Sequence, residues 1–305
     1  MSFDGLVQIK KAIGMLSPKE VRDLSQREVK IALHAPDTQA FEQMESFLLH
    51  ELKPARRRES ADMLIRNPSS TNQADVNIYH ANVKAPSKSL IYFPEQPNVV
   101  VAKTLKEYPD LAIALARSFQ PFRGPYVKNV VADVCKENTL FCLATAVPDV
   151  MGIPFITLPW SIAEFASDSA FLTMNQIRMG FMIAGASDRE VGYMEQKGEI
   201  AAVIGSAFGW RALARELVGK IPFGGGLIAK AGVAYAGTKV LGVSLDHYYS
   251  MGYAYSREER NKLYAEAYQQ GKSVAAKLLR MVRPDLADKL VDSDDRKHST
   301  ASAAR

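Results

Sequence analysis

Cysteine is scarce in this chain, and its scarcity excludes more than it suggests. Only Cys135 and Cys142 are present. Seven residues apart on one helical stretch, they sit two turns apart on the same side and cannot bridge each other without unwinding it. No Cys/His pair at metal-ligand spacing accompanies them, so they read as buried core thiols in a reducing compartment. Tryptophan is equally sparse, with two in 305 residues. No nucleophile motif, zinc signature or phosphate loop stands anywhere in the sequence, and no cofactor is implied. The N-terminal MSFDGLVQIKKAIGML lacks the pattern of a cleavable signal, so the expected starting compartment is the cytoplasm.

What is present is an ordinary globular composition, 47% hydrophobic and 23% charged, with a formal net charge of +5. That charge attracts anionic surfaces mildly. It falls short of a dedicated nucleic-acid binder, and the densest basic run, Lys53 to Arg58, has no interleaved aromatic residues for base stacking. This run reads as a solvated connection broken by Pro54, or alternatively as a patch for RNA or a lipid head group.

The N-terminal part reads as a small α/β unit. Ser17-Pro18-Lys19-Glu20 is a capping box with proline at the first helical position. Glu28 to His34 alternates as a strand, and Asp37 caps a helix with Phe41, Met44, Leu48 and Leu52 on one face. A GTPase would carry its phosphate loop at this strand–helix junction. Here the junction is Ala35-Pro36-Asp37-Thr38, without glycines or a Lys-Ser/Thr pair. Asp75 to His80 and Leu90 to Phe93 read as strands joined as a hairpin by a Pro-Ser-Lys-Ser turn. If the strands ending at His34 and His80 are parallel neighbours, His34, Asp37 and His80 can meet at one sheet end as a metal or proton-transfer site.

From Asn98 the pattern is helical: two short helices divided at Tyr108-Pro109, a boundary at Pro121, Gly124 and Pro125, then a longer helix from Tyr126 to Val147. The domain border is placed near Pro121, giving a mixed domain over 1–120, a helical domain over 121–280 and a disordered tail over 281–305. Between Thr139 and Ser187 the only charges are Asp149, Glu164, Asp168 and Arg178. On the helix after Pro159, Glu164, Asp168, Phe171, Asn175 and Arg178 share a narrow polar seam. It is either the wet edge of a buried helix or a set of polar groups facing a bundle interior, where two carboxylates raise each other's pKa.

Glu199 to Tyr249 reads as a helical hairpin. Its first arm ends in Arg211, Arg215 and Lys220, cations suited to a helix C-terminus. Pro222 and Gly224-Gly225-Gly226 form the turn, and the second arm starts at Leu227. Gly205/Gly209, Gly232/Ala236 and Thr238/Gly242 repeat a small-xxx-small spacing that lets helix backbones approach closely, within the chain or between copies. Leu227 to Leu245 spans 19 residues, about 28 Å, but is interrupted by Lys230 and Lys239, so no transmembrane helix is assigned. Tyr248, Tyr249, Tyr253 and Tyr255 follow beside Arg257, as at a membrane interface or a packing edge. Ser256 to Glu259 is a second capping box opening an amphipathic helix to about Leu279.

LATAVPDVMGIPFITLPWSIAEF, then NQIRM, then GWRALARELVGKIPFGGGLIAKAGVAYAGTKVLG and a terminal Tyr-Tyr resemble the bacterial domain of unknown function numbered six-nine-seven, of the YcjF type, over about Phe141 to Tyr253. The resemblance implies a helical module found alone or beside Era-like or dynamin-like GTPases and associated with membranes. It carries no catalytic residues. Together these readings predict an α+β, mainly α chain. Its expected function is that of a non-enzymatic scaffold or adaptor at the cytoplasmic face of the bacterial inner membrane, with Arg211, Arg215, Lys220 and Lys230 meeting anionic lipid or a partner such as a separate GTPase. The alternative is a soluble cytoplasmic enzyme or metal-binding protein built on the strand-end histidines; nucleic acid is disfavoured.

Overall fold

The chain is α+β and mainly helical. Its computed structural model describes residues 3–146, 168–205, 225–282 and 284. In chain order the elements are α1 (Phe3–Ile13), α2 (Pro18–Ser25), β1 (Ile31–His34), α3 (Thr38–Leu48), α4 (Pro54–Ala61), β2 (Leu64–Arg66), β3 (Val76–His80), β4 (Leu90–Tyr92), α5 (Asn98–Glu107), α6 (Ala112–Ser118), α7 (Gln120–Ala146), α8 (Asp168–Ala186), α9 (197–205), α10 (Gly225–Met251) and α11 (Arg257–Val282). They form two compact units. One comprises Pro18–Val130 and Phe181–Glu195, the other Met1–Ser17, Val131–Gly180 and Gln196–Arg305.

The first unit is built on a parallel sheet in the order β2-β1-β3-β4. Ile31, Ala32 and Leu33 of β1 are fully buried, as expected of a parallel strand covered on both faces. Asp75 fixes the start of β3 against β1, accepting from the Lys30 backbone N–H at 2.9 Å and pairing with Arg27 at 3.4 Å. α3 begins where expected: the Asp37 carboxylate accepts from Ala40 N–H at 2.8 Å.

Three expectations are corrected here. β3 and β4 are parallel, not a hairpin. Residues 81–89 carry the chain back along the sheet instead of reversing it, so the Pro-Ser-Lys-Ser segment is part of a crossover. Lys53 to Arg58 is largely helical, because Pro54 occupies the first position of α4, where a missing N–H costs no bond. Finally, α7 starts at Gln120, not Tyr126, and carries Pro125 inside it. Pro121 lies in the first turn and is harmless. Pro125 forgoes a bond to the carbonyl four residues back, and burial of Phe119, Phe122 and Tyr126 offsets that loss.

The second unit is a helical bundle. Gly225 and Gly226 are helical, as part of α10, and do not form the turn expected of them. Pro222 and Gly224 lie outside the described residues. The small residues of α10 serve close approach. A methyl on Gly271 of α11 would lie 2.8 Å from both the Gly232 carbonyl oxygen and Tyr235 Cβ, and one on Gly242 would lie 2.5 Å from Val131 of α7 and 3.1 Å from Met179 of α8. Leu245 reaches Gly180 in the same way, so this arm packs on α8. Ala231, Ala234, Ala275 and Leu279 form a buried seam with Cys142 and Leu143. Both cysteines are free and buried. Burial pushes the Cys135 thiol well above its ordinary value.

Gly271→Ala should therefore destabilise the protein by about 1–3 kcal/mol, because the obstructing atoms belong to backbone and Cβ and cannot rotate away. Gly198→Ala, whose methyl meets nothing within 4 Å, should stay within about 0.5 kcal/mol of the parent. Chemical denaturation of the two variants checks both outcomes.

Candidate functional site

The polar seam of α8 lands in the interior of the helical unit. Asn175 is fully buried, and Phe171 is buried and stacked on Phe141 with ring centroids 3.9 Å apart. Over its described residues, Phe171, Asn175 and Arg178, the seam is not a wet edge. Glu164 and the side chain of Asp168 lie outside the described residues.

Asn175 and Arg178 converge on Glu137 of α7. Arg178 pairs with the Glu137 carboxylate through Nη2 at 2.5 Å and donates from Nε to Asn175 Oδ1 at 3.0 Å. Asn175 Nδ2 donates to Glu137 Oε2 at 2.8 Å and to Asn138 Oδ1 at 3.0 Å. Asn138 Nδ2 passes the chain on to Thr238 Oγ1 of α10 at 2.8 Å, and Gln176 Nε2 donates to the same hydroxyl at 3.2 Å. Thr238 donates in turn to its own Ala234 carbonyl at 2.8 Å. The hydroxyl thus accepts twice and donates once, which is its full capacity. Three helices are joined by one directional network, with the Arg178–Glu137 ion pair at its partly exposed end.

Chemically this is a positioning network. Every donor named has an acceptor, so the polar groups named are engaged with one another. Sequence reasoning found Asn175 and Arg178 but missed Glu137, Asn138, Gln176 and Thr238 as their partners. A signal existed: Lys136-Glu137-Asn138-Thr139 is a polar run between the apolar Val134-Cys135 and Leu140-Phe141.

The strand-end histidines do not assemble. β1 and β3 are parallel neighbours, but the register pairs His34 with Tyr79, so His80 points to the opposite face of the sheet. His34 stacks on Tyr79 at 4.1 Å and bonds Asn77 Oδ1 at 2.9 Å, while His80 is buried beside Tyr92 and accepts from Asn82 N–H. Asp37 is engaged as a helix cap, which sets a carboxylate where a phosphate loop would place its anion. Asn67 closes the same junction with a reciprocal pair of bonds to Ala35 backbone at 2.8 and 3.1 Å. Among the described residues no group of three or more His, Cys, Asp or Glu side chains could hold a metal ion.

Of the proposed surface cations, Arg211, Arg215 and Lys220 lie outside the described residues, and Lys230 is half-buried on α10. Lys239 is capped by the Gln270 side chain of α11. The C-terminal end of α10 is different in character. Tyr248, Met251 and Tyr253 are 43%, 58% and 58% exposed, whereas Tyr249 is buried and bonds Glu199. Gly252, at φ 84°, turns the chain there, and His247 stacks on Tyr255 at 3.9 Å beneath the turn. The following capping box is complete: Ser256 N–H donates to Glu259 Oε2 at 2.8 Å and Glu259 N–H donates to Ser256 Oγ at 3.2 Å. The bonds from the Ser256 backbone and hydroxyl hold the Glu259 carboxyl below its usual value of about 4.5.

No helix among the described residues is long and apolar enough to cross a membrane. Comparison with family models, with curated proteins and with solved structures finds no match for this chain.

Thr238→Val keeps the shape but strips the acceptor from Asn138 and Gln176. It should cost about 2 kcal/mol, measured as a fall in unfolding free energy. Glu259 has a depressed folded-state pKa, so its contribution to stability is present above pH 4.5 and is lost as pH falls through the lowered value. Glu259→Gln should accordingly flatten the acid limb of a stability-against-pH curve below about pH 4.5 and leave its neutral limb parallel to the parent.

Proposed function

We propose that this chain is a non-enzymatic scaffold or adaptor that associates peripherally with the cytoplasmic face of the bacterial inner membrane and partners a separate Era-like or dynamin-like GTPase. The observation that carries the reading is the exposed turn at the end of α10. Tyr248, Met251 and Tyr253 present apolar surface to solvent within six residues of one another, beside the exposed Arg257 and Arg260. Tyrosine and methionine with flanking arginine suit the headgroup boundary, where rings bury their bodies and cations meet phosphate. The interior network supports a structural role, because its polar groups are spent on one another. The resemblance of the Phe141–Tyr253 region to the YcjF-type domain supports membrane association and the choice of GTPase partner, and Arg211, Arg215 and Lys220 supply further cations in the same region.

Sedimentation with phosphatidylglycerol-containing vesicles tests this reading. The parent should pellet with the vesicles. A triple variant, Tyr248→Ser with Met251→Ser and Tyr253→Ser, should bind about tenfold more weakly, while its circular dichroism is unchanged. In the native host, untagged protein should leave the membranes with carbonate. Recovery wholly in the soluble fraction, or equal vesicle binding by the triple variant, would overturn the proposal.

A further inference from the structure

In the α/β unit two arginines share one acidic side chain. Arg117 and Arg56 share Asp188, with Nη2 atoms 3.0 and 3.8 Å from Oδ1. Arg56 also pairs with Glu59 at 2.8 Å, and its Nη2 is 3.5 Å from the Arg117 carbonyl. Arg123 donates through Nε to the Ala186 carbonyl at 2.9 Å, and Arg117 Nη1 to the Arg189 carbonyl at 3.0 Å. The cations therefore collect at the carbonyl end of α8, where the helix dipole favours them. Lys53, Arg57 and Arg58, on or flanking the same short α4 as Arg56, are exposed.

Capping α8 accounts for the bond from Arg123 to the Ala186 carbonyl. It does not account for the rest. Two guanidinium groups, 20% and 11% exposed, contend for one carboxylate that is itself 37% exposed, and the longer contact is beyond hydrogen-bond distance. Two further polar atoms at this end, Arg56 Nε and Ser187 Oγ, are buried with no partner among the described residues. A tetrahedral dianion answers each of these points: it brings more acceptor oxygens than a carboxylate, more charge, and geometry that takes an arginine fork in a bidentate pair.

We propose that Arg56, Arg117 and Ser187 form a binding site for a phosphoryl group, with Asp188 as the built-in counter-ion that the phosphoryl group displaces. Asp188 is the group suited to leave. It sits in the loop after α8 and is the most exposed member of the ion pairs at that end apart from Glu59. The surrounding cations on α4 raise the local concentration of anions.

The test uses the full chain. Its thermal unfolding is followed in sodium phosphate and in sodium chloride at matched ionic strength, and its binding is measured to phosphatidylcholine vesicles with and without phosphatidic acid. Phosphate should raise the melting temperature in a concentration-dependent way that chloride does not reproduce. Arg56→Lys, which keeps the charge and loses the fork, should weaken the apparent phosphate affinity about tenfold. Asp188→Asn should strengthen it by removing the competing carboxylate. Binding of phosphatidic acid vesicles by the parent and not by Arg56→Lys, without a response to free phosphate, identifies a lipid headgroup as the source of the phosphoryl group. Equal responses to phosphate and chloride together with no preference for phosphatidic acid, or an Arg56→Lys response equal to the parent's, would overturn the proposal.

Discussion

The closeness of α10 to α11 at Gly232 and Gly271 is the constraint on which the helical unit depends. With the Gly271 Cα face against the Gly232 carbonyl, the two helices meet at backbone distance, and the seam of Ala231, Ala234 and Ala275 follows from it. Small residues reduce the apolar area that each position buries. They gain contact density instead, since more atoms come within dispersion range when backbones approach. Neither Gly271 nor Gly242 has room for a methyl unless a neighbour shifts, which holds α10 as a rod close against α7, α8 and α11.

That rod brings Thr238 to a fixed height, and the polar network then sets the register of α7 and α8 against it. An all-alanine interface would permit sliding by a turn. Asn138, Asn175 and Gln176 find their acceptors at one register only, so the network exchanges some hydrophobic burial for a single arrangement. The ion pair of Glu137 with Arg178 completes it at the edge, where water reduces the cost of holding charge.

Local signals were legible in the sequence wherever chemistry and position coincided. Asp37 and the Ser256–Glu259 box cap the helices that their spacing indicates, and the strands at His34, His80 and Tyr92 lie within the stretches that alternate. Legibility failed where direction or partners mattered. A turn-rich segment between two strands does not say whether the chain reverses or crosses over, so β3 and β4 read as a hairpin. Pro54 and Pro121 read as breaks because proline stops a helix from within but is neutral in a first turn. Glu137 and Asn138, the α7 partners of Asn175 and Arg178, lie 37 to 41 residues away, and no periodicity within one helix encodes them. Gly271 was visible only as an isolated glycine inside an amphipathic pattern, a mark of close approach that named no neighbour. The histidine pair failed by one residue: alternation along β3 sends His80 to the face away from His34.

The two compact units are each assembled from separated stretches of chain, Pro18–Val130 with Phe181–Glu195 in one and three stretches in the other. Neither can be released by a single cut. A ribosome that has delivered the whole parallel sheet has not yet delivered Gly185, whose bare Cα fits against Ser25 and Ile113, nor the Ala186 carbonyl that Arg123 caps. At roughly 5–20 residues per second the α/β unit therefore waits several seconds for its last helix turn. During that interval its apolar surface needs other cover, which makes the order of synthesis part of how this chain reaches its fold.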